Sequence, residues 1–152
     1  MLKNRPRRIR SNEFSRRLTS ESQLSIDDLI YPMFVIEGKK IKEEIESMPG
    51  TFRLSIDELI NVAKECYELG IPAIALFPVI DDKIKTLDAC ESFNNDGLIP
   101  RTIKAVKKAI PKLGIITDIA LDPYTSHGQD GLTNEEGIIL NDETVTVLVK
   151  QA

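Results

Sequence analysis

Tryptophan is absent from this chain, histidine occurs once and cysteine twice in 152 residues. Cys66 and Cys90 are too few and too far apart to frame a disulfide-built domain. Neither belongs to a CxxC or Cys/His cluster, which argues against a zinc finger. No apolar run reaches the ~18–20 residues of a membrane helix, and none follows the charged N-terminus as a secretory signal requires. These absences predict a reducing, cytoplasmic setting and no membrane partner. The remaining composition is that of a globular protein, 41% hydrophobic and 29% charged, with enough chain for one domain and its own core.

Acids are scarce only at the start. Residues 1–17 hold seven basic side chains against a single acid, Glu13, which leaves 13 basic and 23 acidic residues in the rest of the chain. A basic arm on an acidic body suits either nucleic acid or docking on a neighbouring copy. No aromatic interleaves the arm before Phe14, and no basic recognition helix follows it. Charge complementarity therefore favours self-association, and no nucleic-acid partner is expected.

Taken in order, residues 1–24 read as an extended arm. Ser25 would cap a single turn over 25–30. Residues 31–36 are apolar and β-prone, with Pro32 at the tolerated start of a strand. Residues 39–52 read as polar and irregular, with Pro49-Gly50 marking a turn. Ser55 and Glu58 have the spacing of a capping box. Ile56, Leu59, Ile60, Ala63 and Tyr67 then recur at helical spacing up to a stop at Gly70. A second strand is predicted at 73–77. A helix with Pro100 in its first turn follows, apolar at Ile99, Ile103, Val106 and Ile110 and wet at its lysines. Residues 114–119 read as a third buried strand. Residues 132–140 form either a small hairpin or an excursion of the loop. Asn141 would cap a last helix whose apolar face is Val145, Leu148 and Val149.

Tyr31 to Ala73 and Ala73 to Ile115 are both 42 residues. A repeated strand–loop–helix unit calls for a parallel sheet. Eight such units would take roughly 340 residues, within the range of a (β/α)8 barrel. The expected fold is thus α/β: the N-terminal half of a TIM barrel, with an arm at 1–24 for oligomer contacts. Residues 25–152 would supply the first three βα units and the start of the fourth. The rival is a small open α/β sheet.

Chemistry concentrates where the third strand ends. Asp118, Asp122, Tyr124, Thr125, Ser126, His127 and Asp130 all fall within thirteen residues. Polar groups at the C-terminal end of a buried parallel strand are where α/β proteins place their sites. A solvated loop rich in turn formers is the plainer alternative.

These stretches resemble the delta-aminolevulinic acid dehydratase (porphobilinogen synthase) family. The likeness is carried by Arg5-Pro-Arg-Arg-Ile-Arg10, Tyr31-Pro-Met-Phe-Val35, Ala75-Leu-Phe-Pro78, Asn141-Asp-Glu-Thr-Val145 and, above all, the whole of 118–131. The resemblance implies a TIM-barrel lyase of tetrapyrrole and heme biosynthesis. It would condense two 5-aminolevulinate molecules into porphobilinogen through lysine Schiff bases, as a homo-octamer whose arms embrace neighbouring barrels. Zinc-using members place cysteines where this chain has Ala120, Asp122 and Asp130. A thiolate trio suits zinc, whereas two carboxylates are a hard oxygen set. The resemblance therefore implies the magnesium-responsive, zinc-independent type, with Asp122 and Asp130 as candidate metal ligands and the activating Mg²⁺ site mainly in the other half of the family's fold.

Asp118 is the leading candidate to orient a substrate amine or a catalytic lysine, with Tyr124 and Ser126 in support. His127 is expected to hydrogen-bond within its loop, with acid–base work as the alternative. A Schiff-base lysine needs a neutral amine, hence burial or cationic neighbours. No lysine here ends an apolar strand. The family's catalytic lysines belong to later strands, so this chain alone is expected to be inactive. The alternative is a non-catalytic truncated subunit that associates with full-length copies.

Overall fold

The repeated unit forms the parallel strands that its spacing predicts. The structure is a computed structural model and describes residues 7–152; the arm positions Lys3 and Arg5 lie outside the described residues. Strand β1 spans Ile30–Ile36, β2 Lys42–Glu44, β3 Phe52–Leu54, β4 Ala73–Val79 and β5 Gly114–Thr117. They make one sheet in the order β2-β3-β1-β4-β5. β1 and β4 pair in parallel over seven positions, from Ile30 opposite Ala73 to Ile36 opposite Val79. β5 joins β4 in parallel from Ala73 opposite Gly114 to Leu76 opposite Thr117. Gly114 is required at this junction, because a Cβ there would meet the Ala73 Cβ and the Pro72 carbonyl oxygen, each at 2.9 Å. Pro78 is tolerated in the central strand because β5 pairs only as far as Leu76, so its missing N–H costs no bond on that side.

The segment read as irregular holds two strands. β2 and β3 form an antiparallel hairpin, and β3 adds in parallel to the outer edge of β1 at Phe34 and Val35. Met48 accepts the Thr51 N–H (2.9 Å) across the Pro49-Gly50 turn. Lys42 lies over the Phe52 ring at 4.6 Å. These strands are three residues each, and β2 is wholly charged, so they are too short for an alternating pattern to register in the sequence.

Helix α1 spans Glu13–Leu18, α2 Ile56–Glu68, α3 Leu98–Ala109 and α4 Asn141–Gln151. α1 corrects part of the expectation of an extended arm; it is exposed, and its Phe14 and Leu18 cover nothing. Ser55 stands at the start of α2 as predicted, but the capping box with Glu58 does not form. Its buried hydroxyl accepts the Ile41 N–H (2.9 Å) and donates to Asp57 (2.5 Å), tying the hairpin to the helix instead. The capping box forms at Ser25, whose N–H donates to Asp28 at 2.7 Å. Gly70, at φ +89°, stops α2 in a Schellman turn: its own N–H reaches the Tyr67 carbonyl and the Ile71 N–H the Cys66 carbonyl, both at 3.0 Å.

The core lies between one sheet face and α2 with α3. Met33, Val35, Ile74 and Leu76 point into it and meet Leu59, Ala63, Cys66 and Val106. Cys66 takes the inward position that periodicity gave to Tyr67, which is 42% exposed. In α3, Leu98, Thr102 and Val106 are buried; Thr102 is accommodated because its hydroxyl donates to the Leu98 carbonyl at 2.7 Å. Lys107 turns back to the Leu113 carbonyl (2.6 Å), while Lys104, Lys108 and Lys112 stay exposed as expected.

The expectations for α4 need the largest correction. Its cap is Leu140, not Asn141, and its buried residues are Thr144 and Val147, with Leu148 packed against the core as expected. Val145 and Val149 face out, 49% and 70% exposed. The rotation is set by Thr144, whose hydroxyl donates to the Leu140 carbonyl (2.7 Å) and accepts the Leu132 N–H (3.0 Å). That pins the helix to a small hairpin-like turn in which Thr133 bridges Ile139.

Candidate functional site

β5 ends at Thr117, two residues sooner than the apolar run suggests. The chain then leaves the sheet as a long loop at the C-terminal ends of β1, β4 and β5. These ends open on a cavity of about 530 Å³. Its floor is apolar: Phe34 and Phe77, register partners on neighbouring strands, place their rings 5.7 Å apart. Its polar rim holds Asp118, Asp122, Tyr124, Arg53 and Lys85. A mostly apolar hollow with a few convergent polar groups at this end of a parallel sheet is the expected form of a ligand site.

The loop is built rather than loose. Tyr124 and Thr125 both donate their N–H groups to the Leu121 carbonyl, at 2.9 and 3.0 Å. The buried Thr125 hydroxyl donates to the Gln129 carbonyl (2.8 Å). Asp130 accepts the Leu121 N–H at 2.6 Å, closing the loop on itself. Gln129 donates its N–H to His127 Nδ1 (3.1 Å), which puts the ring proton on Nε2, a buried atom with no partner among the described residues. From α4, Gln151 donates to the Ala120 carbonyl at 3.0 Å.

A second loop, between β4 and α3, is stitched to the first. The Thr86 N–H donates to the Tyr124 carbonyl, and the Ser126 N–H to the Thr86 carbonyl, both at 3.1 Å. The Thr86 hydroxyl donates to Asp88 (2.6 Å) and accepts the Cys90 N–H (3.2 Å), and holds the Asp88 carboxyl below its ordinary range. Ala89, buried, adopts a left-handed φ of +51° in this turn. Such strain persists only where the surroundings fix the backbone.

The cavity thus takes in Asp118, Asp122 and Tyr124 of the candidates read from the sequence. Ser126 and Asp130 belong to the same loop but do not line it. Asp118 and Asp122 are exposed on the rim and Tyr124 is buried. Burial, with the Glu91 carboxylate adding to it, pushes the Tyr124 phenol up to about 12, so Tyr124 is a neutral donor throughout the physiological range. Among the described residues, no three His, Cys, Asp or Glu side chains converge as metal ligands.

Sequence reading passed over Arg53 and Lys85. Arg53 was hidden in the unpredicted β3, although a cation between Phe52 and Leu54 is the mark of a residue facing away from its apolar neighbours. Lys85 stands in the sequence close to two acids, Asp81 and Asp82, with no apolar run before it to mark it. It does pair with Asp82 (2.7 Å), which lowers the Asp82 carboxyl, but its side chain is only 24% exposed and forms part of the cavity wall.

Comparison with known proteins agrees along the whole chain. A family profile described as delta-aminolevulinic acid dehydratase matches residues 3–152. The chain is 48% identical to the delta-aminolevulinic acid dehydratase of Bradyrhizobium diazoefficiens over 97% of its own length and 42% of that protein. It is 42% identical to the enzyme of the same name from Synechocystis, over 97% of this chain and 46% of that protein. The crystal structure of delta-aminolevulinic acid dehydratase from Toxoplasma gondii, in complex with the reaction product porphobilinogen, superposes with a TM-score of 0.91 at 45% identity. That match covers 99% of this chain and 43% of the other. The chain therefore spans less than half the length of these relatives.

Proposed function

The chain belongs to the delta-aminolevulinic acid dehydratase family, and from that membership we propose that it is the N-terminal barrel part of a porphobilinogen synthase. The observation that carries the reading is the rim of the cavity, where the family-like segment 118–131 brings Asp118, Asp122 and Tyr124 together above an apolar floor. 5-Aminolevulinate offers an amine, a ketone and a carboxylate. Asp118 is suited to hold the amine, and the neutral Tyr124 phenol to donate a hydrogen bond to a carbonyl or carboxylate oxygen. Phe34 and Phe77 suit the methylene chain and keep water from it.

The carbonyl chemistry needs lysines that the described residues do not place. A Schiff-base amine works from an apolar or cationic pocket. Lys85, the one lysine in the cavity wall, is paired with Asp82, and the lysines of α3 are on a wet face. The 152-residue chain is therefore proposed to be inactive alone, with the lysines supplied by the rest of the barrel and the arm serving assembly, to an octamer as in the family's full-length members. The exposed apolar residues of α1 favour the second reading too, a non-catalytic subunit that associates with longer copies.

Magnesium dependence is the reading that Ala120, Asp122 and Asp130 favour over zinc, since two carboxylates and a methyl group offer no soft ligand. By themselves they do not make a Mg²⁺ site. Asp130 already accepts the Leu121 N–H, and no third acidic ligand joins them among the described residues. No helix among the described residues is long and apolar enough to cross a membrane, and a cytoplasmic location is proposed.

The test is porphobilinogen formation from 5-aminolevulinate by the protein purified from its own cells, beside the recombinant 152-residue chain. The first should turn over and lose about a hundredfold in rate with Asp118→Ala, the scale of a lost positioned polar group. The second should not turn over. Turnover by the short chain would remove the claim of inactivity, and no product from the native protein would remove the synthase reading.

A further inference from the structure

Two loops frame the cavity, and one residue joins them. Lys85, in its wall, belongs to the loop after β4; Tyr124, on its rim, belongs to the loop after β5. Among the described residues, the hydrogen bonds between these loops are the two made by the Thr86 backbone. Its N–H donates to the Tyr124 carbonyl and its carbonyl accepts the Ser126 N–H, both at 3.1 Å. They form a parallel bridge one residue long, opposite Thr125, whose buried hydroxyl closes its own loop on Gln129. Thr86 itself does not line the cavity.

A bridge so short has no strand behind it, so its direction is set by the turn that follows. Ala89 completes that turn by donating its N–H to the Thr86 carbonyl (3.4 Å) from a left-handed φ of +51°, a conformation that alanine leaves unless it is held there. The Thr86 hydroxyl does the holding. It donates to Asp88 (2.6 Å) and accepts the Cys90 N–H (3.2 Å), gripping the residues on both sides of Ala89. The side chain is thus used inside the turn, while the backbone N–H and carbonyl reach across to the other loop. We propose that Thr86 is a positioning residue: without touching a ligand, its hydroxyl fixes the turn whose backbone sets the loop of Asp118, Asp122 and Tyr124 against the wall of Lys85. This rests on the synthase reading above and adds to it a residue, outside the cavity, that sets the spacing of the cavity's two sides.

The test begins with amide exchange in the 152-residue chain. Thr86→Val removes the hydroxyl and keeps the shape. It should speed exchange at position 86 and at Ser126 about tenfold and leave the amides of β1 and β4 within about twofold. The Tyr124 phenol, which burial pushes up to about 12, should titrate closer to 10.0 in the same variant, with Tyr124→Phe identifying its absorbance. Thr86→Ser keeps the hydroxyl and should bring exchange back to within about threefold of the parent. Exchange that is faster everywhere alike, or unchanged at Ser126, overturns the proposal: the first is a general loss of stability, and the second leaves the loop where it was. In the protein purified from its own cells, Thr86→Val should lower kcat/KM for porphobilinogen formation about tenfold, mainly through kcat, and Thr86→Ser should restore it. Full turnover despite an opened loop overturns the positioning role. No product from the parent protein removes the synthase reading instead, and exchange with the tyrosine titration then decides Thr86 by itself. Should Thr86→Val fail to fold, Asp88→Ala takes its place, since it removes only the exposed acceptor of the hydroxyl. It should speed exchange at Ser126 about threefold, and no change there overturns the proposal.

Discussion

Met33 and Leu76 are register partners, 2% and 1% exposed. One residue further along each strand, Phe34 and Phe77 are partners as well, and both are only half-buried. On that second face Ile116 is 45% exposed although it lies in the middle of β5. Both faces of the sheet are apolar, as strands covered on both sides require. Only the first is finished by this chain's helices. The second holds the cavity and its charged rim, so the face left uncovered is also the one equipped for chemistry. Packing and function have been allotted to opposite sides of the same three strands.

The sharpest way to break that comparison is to cut one residue from each face. Leu76→Ala should cost about 2–5 kcal/mol, because the hole it leaves is enclosed by helices that cannot collapse into it. Ile116→Ala should cost less than about 1 kcal/mol, since solvent already reaches the side chain. Urea denaturation of both variants checks this, and equal losses would mean the two faces are not different.

Tyr124 gives a pH-dependent version. Its folded pKa lies above the ordinary value of 10, at about 12. The stabilisation is therefore complete below pH 10 and is lost as pH rises from there through the folded value. The gap caps the loss at about 2.7 kcal/mol, and solvent screening at the rim takes it below that. Tyr124→Phe should flatten this alkaline limb, as followed by circular dichroism with tyrosinate absorbance.

Asp130 tests whether the loop is held by its own bonds. Asp130→Ala leaves the Leu121 N–H without its acceptor and should cost about 1 kcal/mol, whereas Asp130→Asn keeps a carbonyl oxygen there and should cost less. Hydrogen exchange at Leu121 reads the difference directly. The smallest effect is expected away from both faces, at Asp57. The Ser55 hydroxyl, with the Lys40 N–H adding, holds its carboxyl below 3.8. Its contribution is present above that value and fades as pH falls through the folded pKa; Asp57→Asn should remove this part of the acid limb in a melting series.

Much of the frame was legible because it rests on local chemistry. The three parallel strands, the Gly70 stop and the wet lysine face of α3 all follow from period, turn chemistry and propensity. What misled were positions where a polar group found a partner far along the chain. Ser55 abandoned the box with Glu58 for Ile41, fourteen residues away. Thr144 turned α4 so that Val145 and Val149 face out. The β2–β3 hairpin was invisible because its strands are only three residues long and gain their order from the edge of β1.

The site divides the same way. The concentration of acids and hydroxyls in 118–131, and the repeat that puts them at a strand end, are properties of the sequence. Which of them meet is not. Asp118, Asp122 and Tyr124 reach the cavity while Asp130, still exposed, bends back to accept the Leu121 N–H, because a backbone N–H left unpaired in a closed loop is costly. Lys85 enters the cavity wall only because Thr86 bonds to a loop some forty residues later in the chain. Period and propensity act between neighbours and fix elements; hydrogen-bond satisfaction and burial act across the fold, and they decided the face, the rim and its charges.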